Sequence, residues 1–169
     1  MVTLATEKDI PALNVLVNSA YRGESSKQGW TTEADLLGGI RTDDEALKEM
    51  IGSNDACFLK YEEDGKLLGC VYLKKENKKL YLGMLTVSPQ LQNKGIGKIL
   101  LKASEDEAQK RNCTAIFMTV ISQRTELINW YKKHGYVDTG EKKPFPENDA
   151  RFGIPKTKLE FIVMEKKLQ

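Results

Sequence analysis

The sequence predicts an α+β fold built on a mixed, mostly antiparallel central sheet with helices on both faces, and three observations carry that expectation. Residues 55–88 hold three apolar runs separated by two turn signals, Asp64-Gly65 and Glu76-Asn77-Lys78, the pattern of an antiparallel meander. Apolar residues recur at helical period before this meander and again after it. Strand-like alternation then returns, so the order reads strand, helices, three strands, helix, strand, helix, two strands. A length of 169 residues suits one domain over 1–169, large enough to bury a core.

Taken in order, Val2 to Ala5 is a short strand candidate. Asp9 ahead of Ile10 and Pro11 supplies helix-start chemistry, and Ile10, Leu13, Leu16 and Val17 keep helical spacing up to Tyr21. The polar run after Tyr21 predicts a loop leading into a short helix from about Thr32, then a second helical piece from Asp43 to Ile51. Pro89 ends the third strand of the meander because it has no N–H for a ladder. Ile96, Ile99, Leu100 and Ala103 mark one face of the helix that follows. Thr114 to Ser122 is a strand, His134-Gly135 caps the next helix, and Tyr136 to Thr139 is a short strand. Gly140 to Lys158 reads as a long polar loop before the alternating Leu159, Phe161 and Val163.

Composition excludes several classes of function. Charged residues are 30% of the chain and the net charge is +2, with lysines dispersed among acids, so nucleic acid is not an expected partner. Cys57, Cys70 and Cys113 are an odd number at wide spacing, and His134 is the one histidine, which fits neither a disulfide framework nor a metal site. Buried core thiols are the expectation. No basic leader or long apolar run is present, so a cytoplasmic protein with no membrane partner is expected.

Gly95 and Gly97 stand at the first turn of a strong helix, between Lys94 and Lys98, although each glycine costs a helix about 1 kcal/mol relative to alanine. The N–H groups of a helix N-terminus carry partial positive charge and suit phosphate. Glycines there let a pyrophosphate approach the backbone, the lysines add charge, and Gln92 offers a side-chain donor. A P-loop fails because Gln92 occupies its first glycine position and Ile99 follows Lys98; the dinucleotide fingerprint fails because Leu100 replaces its third glycine.

Val87, Pro89, Gln92, Gly95 and Gly97 instead fit V-x-P-x-x-Q-x-x-G-x-G, which resembles the acyl-coenzyme A signature of the GNAT N-acetyltransferase superfamily. Downstream, Trp130-Tyr131-Lys132-Lys133-His134-Gly135-Tyr136 is similar to that family's second motif. The resemblance implies acetyl-coenzyme A as co-substrate, no metal, and splayed fourth and fifth strands with a bulge on the fourth, here Gly83 to Val87. It implies that the Leu85 N–H polarises the acetyl carbonyl, that Val87 pairs with pantetheine, and that Gln92, Asn93, Lys94, Gly95, Ile96, Gly97 and Lys98 hold the pyrophosphate. Arg124 and Leu127 stand where relatives often have Asn and Ala, and Arg124 is a candidate contact to the cofactor phosphates.

The reaction implied is direct attack of a primary amine on the thioester, with Tyr131 as general acid. A phenol of pKa about 10 is protonated at neutral pH and can protonate the departing thiolate. The general base is not marked; Glu24, Glu33, Asp35 and Glu160 are candidates. Arg22, Glu24, Trp30 and Arg151 are expected to line the acceptor pocket, the arginines favouring a small, carboxylate-bearing amine. A protein or peptide acceptor, and a non-catalytic acyl-coenzyme A-binding regulatory domain, are the alternatives. The family also leaves room for a homodimer, with Leu159 to Lys167 as an edge that pairs with a copy of itself.

Overall fold

The computed structural model describes residues 1–22, 27, 29, 32–145 and 154–169. Among the described residues, seven strands form the main sheet: β1 (Val2–Leu4), β2 (Ala56–Glu63), β3 (Lys66–Glu76), β4 (Lys79–Val87), β5 (Ala115–Ile121), β6 (Val137–Pro144) and β7 (Glu160–Lys167). Their spatial order is β1-β2-β3-β4-β5-β7-β6, antiparallel throughout except for the parallel pair β4 and β5. The helices are α1 (Ile10–Tyr21), α2 (Asp44–Ile51), α3 (Ile96–Lys110) and α4 (Thr125–Lys133). The mixed sheet and the element order are those the sequence predicts.

Local chemistry explains the elements. Both meander turns use left-handed residues, Asp64 and Gly65 at φ of 51° and 75° and Asn77 at 57°, which match the twist of a tight hairpin. Asp43 caps α2, its Oδ1 accepting the Ala46 N–H at 2.7 Å. Strand alternation then divides the core in two. Phe58, Cys70, Tyr72 and Met84 meet α1 and α2 through Leu13, Leu16, Val17 and Leu47, whereas Leu59, Val71, Leu73, Leu80 and Leu82 join the layer that contains Leu100 and Leu101 of α3.

A bulge on β4 follows from this alternation. Cys70 pairs with Thr86 and Tyr72 with Gly83, so Met84 and Leu85 together face the single residue between, Val71. Met84 takes a φ of 48°, and the extra residue turns Met84 toward the α1 layer and Leu85 toward the α3 layer. Beside the bulge, β4 pairs with β5 only from Lys79 opposite Ala115 to Tyr81 opposite Phe117. Past Tyr81 the two strands part, which is the splay the resemblance implies.

Several local expectations differ from the structure. Ala34 to Leu36 form a turn rather than a helix, with the Leu36 and Leu37 N–H groups both donating to Glu33 O, and Leu37–Gly38 then pairs with Ile154–Pro155 in a two-stranded ribbon. The two glycines at 38 and 39, the second with φ of 77°, end any helical run there. The strand after α4 extends to Pro144 instead of stopping at Thr139, carried past an irregularity that contains Gly140 at φ of 86°. Its fully exposed pattern hides it from a hydrophobicity reading. Strand β7 lies between β5 and β6, so Leu159 to Lys167 is not an edge, and the outer position belongs to β6. On α3 the buried face is Ile96, Leu100, Leu101, Ser104 and Ala108, while Ile99 points to solvent.

Candidate active site

The split between β4 and β5 creates two cavities that share a wall. One, of about 270 Å³, lies against the start of α3 and the outer face of α4 and is lined by Leu85, Val87, Gln92, Gly95, Gly97 and Trp130, among others. The second, of about 170 Å³, lies against the end of α1 and is lined by Tyr21, Glu33, Arg41, Met84, Arg124 and Phe161, among others. Leu85, Leu127 and Tyr131 line both. The bulge is what brings Leu85 to this junction, because a regular strand would have left that residue in the ladder.

The first cavity gathers most of the residues expected to hold the cofactor. Leu85, Val87, Gln92, Asn93, Gly95, Ile96, Gly97 and Lys98 line it; Lys94 is exposed in the same turn. Gly95 is the N-cap of α3 with a left-handed φ of 86°, and a Cβ placed on it would meet open space. Its glycine is therefore required by backbone conformation. Gly97 has a different reason: a Cβ there would stand 3.2 Å from the Trp130 ring, so the absence of a side chain lets α4 close the cleft. The N–H groups that open α3 precede its first acceptor, Gly95 O, which takes the Ile99 N–H at 3.1 Å. They form the positive end of the helix.

Gln92 is used otherwise than its residue type suggests. Its Nε2 donates to Val87 O at 3.1 Å, a tie that fixes the turn between strand and helix. Val87 thus keeps its carbonyl for the turn. At the bulge Leu85 shares Val71 of β3 with Met84 instead of facing a residue of its own, and β5 has already diverged from it. The Tyr21 hydroxyl donates to the Leu85 carbonyl, which holds that peptide from the α1 side.

Tyr131 comes from the second turn of α4 and is 5% exposed. Trp130 packs edge-on to it at 5.2 Å and Tyr136 at 5.7 Å. Burial raises its phenol well above the ordinary value near 10, with Tyr21 adding to the rise and Arg124 opposing it. His134 stacks on Trp130 at 4.4 Å with Nδ1 2.7 Å from Trp130 O, which caps the helix end and seals one side of the cleft.

Arg124 stands apart from the glycine turn that opens α3. It lines the second cavity, where Nη1 pairs with Glu33 Oε2 at 3.1 Å, both side chains being 8% exposed. Arg22 Nη2 takes the other oxygen of Glu33 at 3.0 Å. Glu33, one of the candidate bases, is thereby committed to two guanidinium groups. Asp35 is exposed, and Glu160 is exposed beside Lys142, away from both cavities. Glu24, Trp30 and Arg151 lie outside the described residues. Among the lining residues that escaped sequence reading are Tyr21, in its contact role, and Arg41. Neither belongs to a motif, and only the packing of α1 and its following loop against the splay brings them there.

Among the described residues no helix is long and apolar enough to cross a membrane, and no group of three or more His, Cys, Asp or Glu is placed to hold a metal. Cys70 and Cys113 are buried, and Cys57 is half-buried.

Comparison with known proteins agrees with this geometry. Residues 21–136 match the model of the Acetyltransferase (GNAT) family. The uncharacterized protein YdhI of Bacillus subtilis (strain 168) is 28% identical over 79 residues, a match spanning about half of each chain, 47% of this one and 48% of the other. The ribosomal-protein-S18-alanine N-acetyltransferase of Escherichia coli superposes with a TM-score of 0.73 over 100% of this chain and 94% of that one, at 14% identity. The protein yncA of Salmonella typhimurium, solved with acetyl-CoA, gives 0.69 over 100% and 94%, at 20% identity. These structures share the fold, and the family model covers both motifs and the splayed strands between which the cavities open. This chain belongs to the GNAT acetyltransferase family.

Proposed function

We propose that residues 1–169 act as one acetyl-coenzyme A-dependent N-acetyltransferase domain whose acceptor is the primary amine of a small molecule. The observation that carries this reading is the shared wall: Leu85 and Tyr131 belong to both cavities, so a group in either one meets the same peptide and the same phenol. The residues fit the cofactor. The open left-handed cap at Gly95, the N–H groups of Ile96, Gly97 and Lys98 and the flanking lysines suit a pyrophosphate, and the cleft under Trp130 suits the narrower pantetheine arm.

When bound, acetyl-coenzyme A supplies an acetyl group activated as a thioester. The chain supplies the rest. The Leu85 N–H, at the bulge and on the wall common to both cavities, is the donor that would hold the acetyl oxygen as negative charge develops there, an interaction strongest in a dry site. Tyr131, kept protonated by burial, holds the proton for the departing sulfur, whose own basicity the same dry surroundings raise. With both Glu33 oxygens paired, solvent entering the second cavity is the route by which the amine loses its proton. Direct attack requires no enzyme nucleophile, and none of the described cysteines lines either cavity.

Calorimetric titration with acetyl-coenzyme A, with ATP and NAD as controls, tests the reading. Binding near micromolar for acetyl-coenzyme A alone, about −8 kcal/mol, together with thiol release on adding amines, is the expected result. Absence of binding would overturn it. Binding with no turnover for any amine or peptide would instead favour the non-catalytic regulatory domain.

A further inference from the structure

Arg41 carries an inference about the acceptor that rests on the acetyltransferase reading. Arg41 and Arg124 line the second cavity and lie against the Tyr21 ring, and Arg22 reaches Glu33 from outside that lining, so the three guanidinium groups are not equivalent. Arg22 and Arg124 share the Glu33 carboxylate. The Arg41 guanidinium has no carboxylate partner among the described residues and rests against the Tyr21 ring, with Cζ 5.8 Å from the centroid.

Its position is built rather than incidental. The Arg41 N–H donates to Asn18 Oδ1 at 2.6 Å, the Thr42 N–H donates to the same oxygen at 3.2 Å, and Asn18 Nδ2 returns a bond to Thr42 O at 2.9 Å. Asn18 is itself braced by Asn14 Oδ1 at 2.7 Å on the preceding turn of α1. One side chain thus pins the loop backbone on both sides of the Arg41 peptide. Arg41 is half-buried at the cavity, and its planar fork matches a carboxylate.

We infer that Arg41 binds the carboxylate of an amino-acid-like acceptor, placing the amine at the Leu85 and Tyr131 junction. Tyr21 sets the spacing. Its ring lies against Arg41 and its hydroxyl bonds the Leu85 carbonyl, so the two ends of the acceptor site are about one tyrosine side chain apart. That separation suits an amine and a carboxylate a few bonds from each other. One unpaired fork suits a single negative charge better than a phosphate dianion, which calls for more donors. Met84, Met118 and Phe161, also in the lining, favour an apolar body between or beside the two ends.

The test measures thiol release from acetyl-coenzyme A with each common amino acid, its carboxamide and its decarboxylated amine, alongside a short peptide with a free N-terminus. For the best amino acid, kcat/KM is expected to exceed that of its carboxamide by at least about tenfold, the scale of one charge-assisted pair. Arg41→Gln is expected to erase that preference by raising KM for the amino acid while changing KM for the carboxamide by less than about twofold, with Arg41→Lys intermediate. Calorimetry with the same amino acid in the presence of coenzyme A is expected to show weaker binding to Arg41→Gln. Equal or better rates with carboxamides, decarboxylated amines or the peptide would overturn the inference, as would a preference unchanged by Arg41→Gln or a full panel with no turnover. Thiol release in the first two cases leaves the acetyltransferase reading standing, whereas failure to bind acetyl-coenzyme A, or binding with no turnover for any amine or peptide, removes both.

Discussion

Tyr131 is the side chain on which the two cavities converge, and its surroundings give its protonation a sign. Burial favours the neutral phenol, so the proton stays on the oxygen until well above pH ~10. Tyr131→Phe keeps the ring and its contacts with Trp130 and Tyr136 and removes the hydroxyl alone. It is expected to lower kcat by about 10²-fold or more, the usual contribution of general acid catalysis, with acetyl-coenzyme A affinity unchanged in calorimetry. A variant with undiminished kcat would assign the proton to solvent. Tyr131 was legible in the sequence because it stands in a motif with Gly135 and Tyr136. Arg41 was not: its role depends on Asn18, twenty-three residues away on α1, and on an acid shared by two other arginines.

At the scale of elements, the β4 turn and the start of α3 form one unit. Gln92 ties back to Val87 O, and Gly95 then reverses the chain in a left-handed conformation to aim the first N–H groups of α3 at the cleft. Gly95→Ala meets no steric obstacle but forces a Cβ into that conformation at a cost of about 1–2 kcal/mol. The melting temperature is expected to fall by about 2–8 °C, and by less in Gly95→Asn, since Asn enters the left-handed region more readily. An unchanged melting point in Gly95→Ala would show that the turn does not need that φ. The bulge was half visible in the same segment: apolar Leu80 and Leu82 keep period two, and Leu85 and Val87 resume it one residue out of step. The truncated β6 came out otherwise because an exposed, polar strand has no hydrophobic period to read, and the short helix expected near Thr32 because the glycines at 38 and 39 end any helical run there.

At the scale of the whole molecule, the core buries acidic groups in neutral form. Burial lifts the Cys70 thiol to about 12, and it raises Tyr21, Tyr131 and Tyr136 as well. Each raised group binds its proton more tightly folded than unfolded. Their stabilising contribution is complete below the unfolded values, about 9 for the thiol and 10 for the phenols, and is lost as pH rises toward the folded values. Denaturant titrations are expected to show stability declining from about pH 9 upward, and a stability that stays flat through pH 11 would contradict this burial. Native Cys70 is also expected to resist alkylation that Cys57 accepts.

The sequence by itself determined the meander, the order of elements, the glycine turn before α3 and the helix that carries Tyr131, because each is written in near neighbours: turn residues, period, and spacing within a motif. Tertiary structure alone decided where β7 sits, how Gly97 answers to Trp130, and which arginines pair with Glu33 and which one is left over. Those outcomes depend on segments tens of residues apart meeting across a split sheet, and no local pattern records which partners the packing brings together.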